Sequence, residues 1–221
     1  MLRSLPLLLL LFCSCTLGAG GFASKHSADL GGRNIRRIAI FAGEPLPLGE
    51  KNKTPYSAAV SDAAREVEEN APSVLNHLLY STMSAISQWQ IVSDREVREV
   101  MAMVPPGAES ERAKMLGQLV YADAVIFPRI LRYRERVGEE WGVKNPASVA
   151  FVLDLWDAKR GDLAWSGHFD ETQRPLSENL LALGAFFRRG WGWITAEELA
   201  LDGIKKAMEN LRQNLYRSST T

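Results

Sequence analysis

The apolar positions of the chain form two patterns, short unbroken runs and longer stretches with helical spacing. Three runs, Ile38–Ala42, Trp89–Val92 and Ala122–Phe127, have the length and composition of buried β-strands. Between the first two, apolar residues recur with the period of an amphipathic helix that begins near Pro72. The face of that helix consists of Val74, Leu75, Leu78, Leu79, Met83 and Ile86.

Two capping boxes mark the starts of further helices. Ser93 and Glu96 have the spacing in which each side chain bonds the other residue's amide, and a helix to about Met103 follows. Thr195 and Glu198 repeat the pattern before the last amphipathic helix. Another helix is predicted over Glu109–Leu119, and one begins near Pro175 to Ser177.

The most regular alternation lies in ASVAFVLDLWD and LAWSGHFDET, which flank the turn-like sequence Ala158–Gly161 and predict a β-hairpin. One face of its first strand carries Val149, Phe151, Leu153 and Leu155, and the other carries Asp154 and Trp156. In the second strand, Leu163, Trp165 and Phe169 share a face.

The order of these elements is strand, helix, strand, helix, helix, strand, hairpin, helix, helix. It predicts an α/β (α+β) fold with a mixed sheet of about five strands packed by helices, in a single domain. The chain has no internal repeats. A chain of this length buries a sufficient core without a disulfide.

The amino terminus is organised as a secretory signal peptide. The apolar run Leu5–Phe12 has eight residues, whereas a membrane-spanning helix needs about 20. Arg3 precedes the run and small residues follow it, which is the order found in signal peptides. We therefore assign residues 1–14 to a signal peptide, 15–34 to a lipidated cysteine with a flexible glycine-rich tether, and 35–221 to the globular domain.

The sequence LFCSC resembles the bacterial lipobox, in which a small residue precedes a cysteine that receives a diacylglyceryl group. Cys15 fits this pattern because Ser14 precedes it, and Cys13 fits badly because Phe12 is bulky. The alternative is an ordinary signal peptide cut after Ala23, with both cysteines removed. The residue after Cys15 is Thr16 and not aspartate, which under the resemblance implies the outer membrane as destination.

The charge balance argues against nucleic acid as a partner, since 26 basic residues face 26 acidic ones. Four arginines do cluster at one place, and nearby glutamates dilute them. We interpret this cluster as a solvated strand face; its members are Arg129, Arg132, Arg134 and Arg136.

Ser166, His168 and Asp170 fall on one face of a strand, but they do not have the spacing of a catalytic triad. Residues two apart on a strand are separated by about 6.6 Å, whereas a nucleophile and its base meet at about 2.6–3.2 Å. His168 and Asp170 could supply two metal ligands, and nothing nearby supplies a third. The sequence therefore predicts no catalytic residue, no metal site, no cofactor and no enzymatic activity.

The sequence GAFFRRGWGW combines aromatic residues and arginines, the types enriched at binding hot spots and at membrane interfaces. It predicts a contact with a partner protein or a membrane surface. The alternative is that its phenylalanines and tryptophans pack onto the core. The candidate contact residues are Phe187, Arg188, Arg189, Trp191 and Trp193.

Several stretches together resemble a group of exported bacterial lipoproteins. They are the lipobox-like Cys15, the opening strand RRIAIF, the step WQIVSDREV, the YAD before AVIF, the long hairpin and the final amphipathic helix. The group comprises the curli-secretion-channel family, the activator lipoproteins of penicillin-binding proteins and the amino-terminal domain of the Tol translocation protein.

The resemblance implies a lipoprotein anchored in the outer membrane and facing the periplasm, with a non-catalytic protein-binding role in envelope assembly or cell-wall regulation. The alternative function is a structural subunit of an oligomeric envelope or secretion complex. The implied partners are the membrane, through the lipid anchor, and an envelope protein or further copies of the chain. Without the anchor, the protein is expected to be periplasmic or secreted.

Overall fold

A six-stranded mixed sheet forms the centre of the protein. The computed structural model describes residues 21–41, 55–56, 67–139, 142–173 and 194–216. The strands are β1 (Gly21–His26), β2 (Arg37–Ile40), β3 (Gln90–Ile91), β4 (Ala124–Arg134), β7 (Ser148–Asp157) and β8 (Leu163–Thr172). They lie side by side in the order β1-β8-β7-β4-β2-β3. A separate two-stranded sheet pairs β5 (Val137–Glu139) with β6 (Gly142–Asn145).

Four α-helices pack on this sheet in the described part of the chain. They are α1 (Ala71–Ser84), α2 (Asp94–Val100), α3 (Glu109–Leu119) and α4 (Ala196–Leu215). Short 3₁₀ turns cover Leu30–Gly32 and Met101–Met103. None of the described helices is long and apolar enough to span a bilayer.

The sheet has two ends, which we name after residues that lie there. β2 is parallel to β3 and β4, and β7 and β8 are antiparallel to their neighbours. The Gly21 end contains the start of β1, which pairs with the end of β8 at Asp170, and the start of β7. The Asp157 end contains the turn between β7 and β8 and the starts of β2 and β4.

Each face of the sheet buries its own apolar cluster. α1 and α4 cover one face, where Val149, Phe151, Leu153 and Leu155 lie as the alternation predicts. α2 and α3 cover part of the other face, where Trp156 packs. Leu163 joins this second cluster and not the face of Trp165, because the register shifts between Leu155 and Trp156.

The predicted fold class is confirmed: the chain forms a mixed open sheet packed with helices, in a single α+β domain. α3 has the predicted bounds, and the long hairpin forms where the alternation places it. The sheet has six strands and not five, because β1 adds one. The helix predicted near Pro175 lies outside the described residues.

The tether prediction is wrong from Gly21 onward. Gly21–His26 forms the edge strand β1, paired antiparallel with six residues of β8. Leu30 then inserts into the core, and the Arg33 side chain is buried. Backbone hydrogen bonds to β8 and apolar contacts, such as the stacking of Phe22 on Trp165, order this stretch despite its glycines.

The two capping boxes have different outcomes. At Thr195 the box is complete, since the hydroxyl accepts from the Glu198 amide and the Glu198 carboxylate accepts from the Thr195 amide. At Ser93 the hydroxyl accepts from the Glu96 amide, as predicted. The Glu96 carboxylate, however, accepts from the guanidinium of Arg37 at 2.9 Å, so the return bond is replaced by an ion pair to β2.

Candidate functional site

The residues singled out for contact and anchoring lie outside the described part of the chain. They are Cys15, Phe187, Arg188, Arg189, Trp191 and Trp193. The residues that bracket the aromatic stretch are described, and the Ile194 amide donates to the side-chain carbonyl of Gln173 at 3.1 Å. The Gln173 amide in turn donates to Ala147, just before β7. Gln173 and Ile194, the described residues on either side of residues 174–193, therefore lie at the Gly21 end.

Ser166, His168 and Asp170, which share one face of β8, each contact a different partner. The Ser166 hydroxyl donates to Asp154 on the neighbouring strand, and Asp170 forms an ion pair with Arg132. The His168 ring stacks on Tyr56, with their centroids 5.1 Å apart. Burial lowers the pKa of His168.

A buried ionic network lies on the same face of the sheet as Ser166. The guanidinium of Arg129 pairs with both Glu109 and Asp154, whose side chains are 0% exposed. Arg129 comes from β4, Asp154 from β7 and Glu109 from the first turn of α3. The positive amino-terminal end of that helix favours a carboxylate there. The network therefore joins α3 to the two central strands.

A second buried arginine lies beside this network. The guanidinium of Arg112 sits over the ring of Phe41, 4.1 Å from its centroid. Its Nε and Nη1 atoms are buried and have no hydrogen-bond partner among the described residues. Burial lowers the pKa of Arg112, and the charge of Glu109 opposes that effect. With Arg129, Glu109 and Asp154, the four groups carry two positive and two negative charges.

The network lies close to a switch in the order of the strands. β2 leads through α1 to β3 on one side, and β3 leads through α2 and α3 to β4 on the other side of β2. Phe41 directly follows β2. In open α/β sheets, ligands bind outside the carboxyl ends of strands at such a point. Among the described residues, the Arg129 ion pairs and the guanidinium of Arg112 lie near this place.

The cluster of four arginines is not a uniformly solvated strand face. Arg129 is buried in the network, and Arg132 is partly buried between Ser148 and Asp170. The interpretation from sequence is therefore wrong for Arg129. Its partners could not be identified from spacing, because Glu109 and Asp154 lie 20 and 25 residues away along the chain.

Asp154 makes the network sensitive to pH. Burial raises the pKa of Asp154 to about 6 from its ordinary value of 3.8, although Arg129 and Ser166 favour the ionised form. A carboxyl whose pKa is higher in the folded state binds its proton more tightly there. Its contribution to stability is therefore complete below about pH 4 and is lost as the pH rises through about 6.

We accordingly expect the urea midpoint of the wild type, relative to that of Asp154→Asn, to fall as the pH rises from about 4 to about 7. Asparagine cannot ionise, so the difference between the two proteins isolates this carboxyl. Asp170→Asn, which removes a partly exposed carboxylate, is the control. An identical pH dependence in the wild type and Asp154→Asn would contradict the prediction.

A second polar network joins the amino-terminal segment to the hairpin turn. Arg33 binds both oxygens of Asp162, at 2.8 and 2.7 Å, and also pairs with Asp29 and Asp157. Arg160 completes it by pairing with Asp29. Arg160–Gly161–Asp162 thus forms a turn whose charged side chains are held by the segment that follows β1. The described residues contain no cluster of three or more metal-ligating side chains.

Fold and site together define the class of the protein as an α+β domain, built on a mixed open sheet with a buried ionic network on one face. No protein-family model matches the chain, and no characterised relative matches it in sequence.

Solved structures do match. A dodecamer of PelC from Paraburkholderia phytofirmans is 14% identical, with 87% of this chain and 96% of that chain covered and a TM-score of 0.40. Lipoprotein GNA1162 from Neisseria meningitidis is 14% identical, with 70% and 96% covered and a TM-score of 0.40. The carboxy-terminal domain of LpoB from Salmonella enterica is 13% identical, with 62% and 83% covered and a TM-score of 0.36.

These matches agree with the group of lipoproteins that the sequence resembles.

Proposed function

We propose that the protein is an outer-membrane lipoprotein that faces the periplasm and has a non-catalytic, protein-binding role in envelope assembly or cell-wall regulation. Cys15 is the lipidated residue, and residues 1–14 are the signal peptide removed before it. The single observation that supports the anchor best is the position of β1 in the fold.

The position of β1 discriminates between the two possible cleavage sites. Cleavage after Ala23 would remove half of β1, including the residues paired with Phe169 and Asp170 and the ring of Phe22 against Trp165. Cleavage before Cys15 leaves β1 whole. The pairing of β1 therefore supports a lipobox at Cys15 over cleavage after Ala23.

The anchor also orients the domain. Six peptide units separate Cys15 from Gly21, which is a reach of about 20 Å at full extension. The Gly21 end must then lie close to the membrane. Gln173 and Ile194 lie at this end, which supports the proposal that Phe187, Arg188, Arg189, Trp191 and Trp193 contact the membrane or a partner beside it.

The alternative role, as a subunit of an oligomeric envelope or secretion complex, is supported by one feature. In the described part of the chain β1 pairs only with β8, so its outer edge can accept a further strand. Size-exclusion chromatography of the detergent-extracted protein separates the two roles, because a stable ring elutes far ahead of a monomer.

Membrane fractionation of two matched variants tests the anchor. Cys15→Ser is expected to move from the outer-membrane fraction to the soluble periplasm, since it loses every acyl chain. Cys13→Ser, a change of the same chemistry two residues away, is expected to fractionate like the wild type. Equal fractionation of Cys15→Ser and the wild type would refute lipidation at Cys15.

A further inference from the structure

Tyr121 is an aromatic residue in a position that costs stability. It lies in the turn between α3 and β4 with φ +54°, and it is 84% exposed. The Ala122 amide donates to Gly117, so Tyr121 takes the left-handed place that usually ends a helix with glycine. A tyrosine here gains no burial in return. Such an outlier is a reason to look for function at the surface around it.

Asp123 holds the backbone of two arginines and the side chain of one lysine at the same end of the sheet. One of its carboxylate oxygens accepts from the amides of Arg36 and Arg37, at 3.1 and 2.9 Å, and the other contacts the ammonium of Lys159 at 3.1 Å. The Lys114 side chain lies over Gly161 in the hairpin turn. We call Arg36, Lys114, Tyr121 and Lys159 the far-end surface, because they lie at the Asp157 end.

The far-end surface holds positive charge that the described residues do not neutralise. Five described carboxylates at this end already bind basic groups; they are Asp29, Glu96, Asp123, Asp157 and Asp162. Among the described residues, neither the guanidinium of Arg36 nor the ammonium of Lys114 has an ion-pair partner. At the Gly21 end, by contrast, Arg132 and Lys206 are paired with acidic side chains.

The tether restricts what can reach the far-end surface. β7 has ten residues and spans about 33 Å, which exceeds the reach of about 20 Å between Cys15 and Gly21. With the Gly21 end at the membrane, the Asp157 end extends into the periplasm. An occupant of the far-end surface is then a soluble periplasmic component or an envelope component that faces the anchoring membrane. It is not the lipid in which the protein is anchored.

We propose that the far-end surface docks an acidic segment of another envelope protein. The carboxylates of that segment pair with Arg36 and Lys114, and its apolar atoms pack on the ring of Tyr121. Tyrosine and arginine are enriched at the energetic centres of interfaces, and unpaired charges guide encounter and orientation. The proposal rests on the proposed function, because the anchor determines which end faces the periplasm.

A photo-crosslinker tests the proposal in intact cells. p-Benzoylphenylalanine replaces Tyr121, and in the control it replaces Val137, an apolar residue 52% exposed at the Gly21 end. We expect an adduct from position 121 that maps to an Asp- and Glu-rich segment of an envelope protein and is absent from position 137. In the double variant Arg36→Glu/Lys114→Glu, its yield is expected to fall by about tenfold or more.

Stability measurements show whether Tyr121 has a structural role. Tyr121→Gly is expected to unfold at the same temperature as the wild type or about 1–3 °C higher, since glycine relieves the left-handed conformation. A clear fall in unfolding temperature would make the side chain structural and would overturn the proposal.

Other outcomes also overturn the proposal. These are no adduct from position 121 in the folded protein, an adduct insensitive to the charge reversal, an adduct with a second copy of the chain, and binding to purified cell-wall glycan that depends on Arg36. A lipidated, membrane-bound protein without the adduct leaves the proposed anchor intact. A protein without lipid that still gives the charge-dependent adduct refutes lipidation at Cys15 but supports docking at the far-end surface.

Discussion

Replacement of Arg129 by methionine is expected to lower the free energy of unfolding by about 3–5 kcal/mol. The guanidinium neutralises two carboxylates, Glu109 and Asp154, whose side chains have no solvent exposure. Methionine fills similar space and removes the charge. Both carboxylates must then be protonated or remain buried without their counterion, and either costs free energy.

Arg132→Met provides the matched control, measured by urea unfolding in the same buffer. Arg132 lies on the same strand, but its ion pair with Asp170 joins side chains that are 22% and 44% exposed. The loss there is expected to stay below about 1 kcal/mol, because water replaces much of an exposed pair. Similar losses for the two variants would contradict the assignment of Arg129 to a buried network.

A chain that begins at Ser24 is expected to be less stable than one that begins at Gly21 by about 2–4 kcal/mol. It lacks three of the six residues of β1 that pair with β8. It also lacks the Phe22 ring, which stacks on Trp165 with centroids 6.4 Å apart. Trp165 is one of the largest fully buried side chains, so its exposure weakens the main core.

The comparison with a chain that begins at Thr16 completes this test. Thr16 and Gly21 chains both contain all of β1, and we expect their urea midpoints to agree within about 0.5 kcal/mol of unfolding free energy. Equal stability of the Ser24 and Gly21 chains would show that β1 contributes nothing to the fold, and the preference for cleavage before Cys15 would lose its structural support.

The elements predicted best from the sequence are those whose signals are local. α3 is bounded by its own helical pattern, the β7–β8 hairpin by alternation and a turn sequence, and α4 by a capping box that forms in full. In each case the residues that specify the element are close together in the chain, so periodicity and capping identify them.

The elements that were missed depend on distant residues. β1 is rich in small and polar residues and becomes a strand only by pairing with β8, about 145 residues later. The Glu96 carboxylate pairs with Arg37, which is 59 residues away, and does not complete its capping box. In both cases tertiary contacts override the local signal.

The buried network had one signal in the sequence. Asp154 interrupts the apolar sequence VAFVLDLW on the face that carries Trp156, and a carboxylate in such a strand needs a buried partner. That signal indicates a buried charge pair, but it does not identify Arg129 or Glu109. The register of β4 against β7 and the docking of α3 are needed for that.

The central proposal is that the mature chain begins with a lipidated Cys15 and includes all of β1. Its most direct test is the intact mass of the protein extracted from cell membranes with detergent. We predict a chain that begins at Cys15 and carries the added mass of two or three acyl chains. A chain that begins at Ser24 with no added mass would contradict both the anchor and the role of β1 in the native fold.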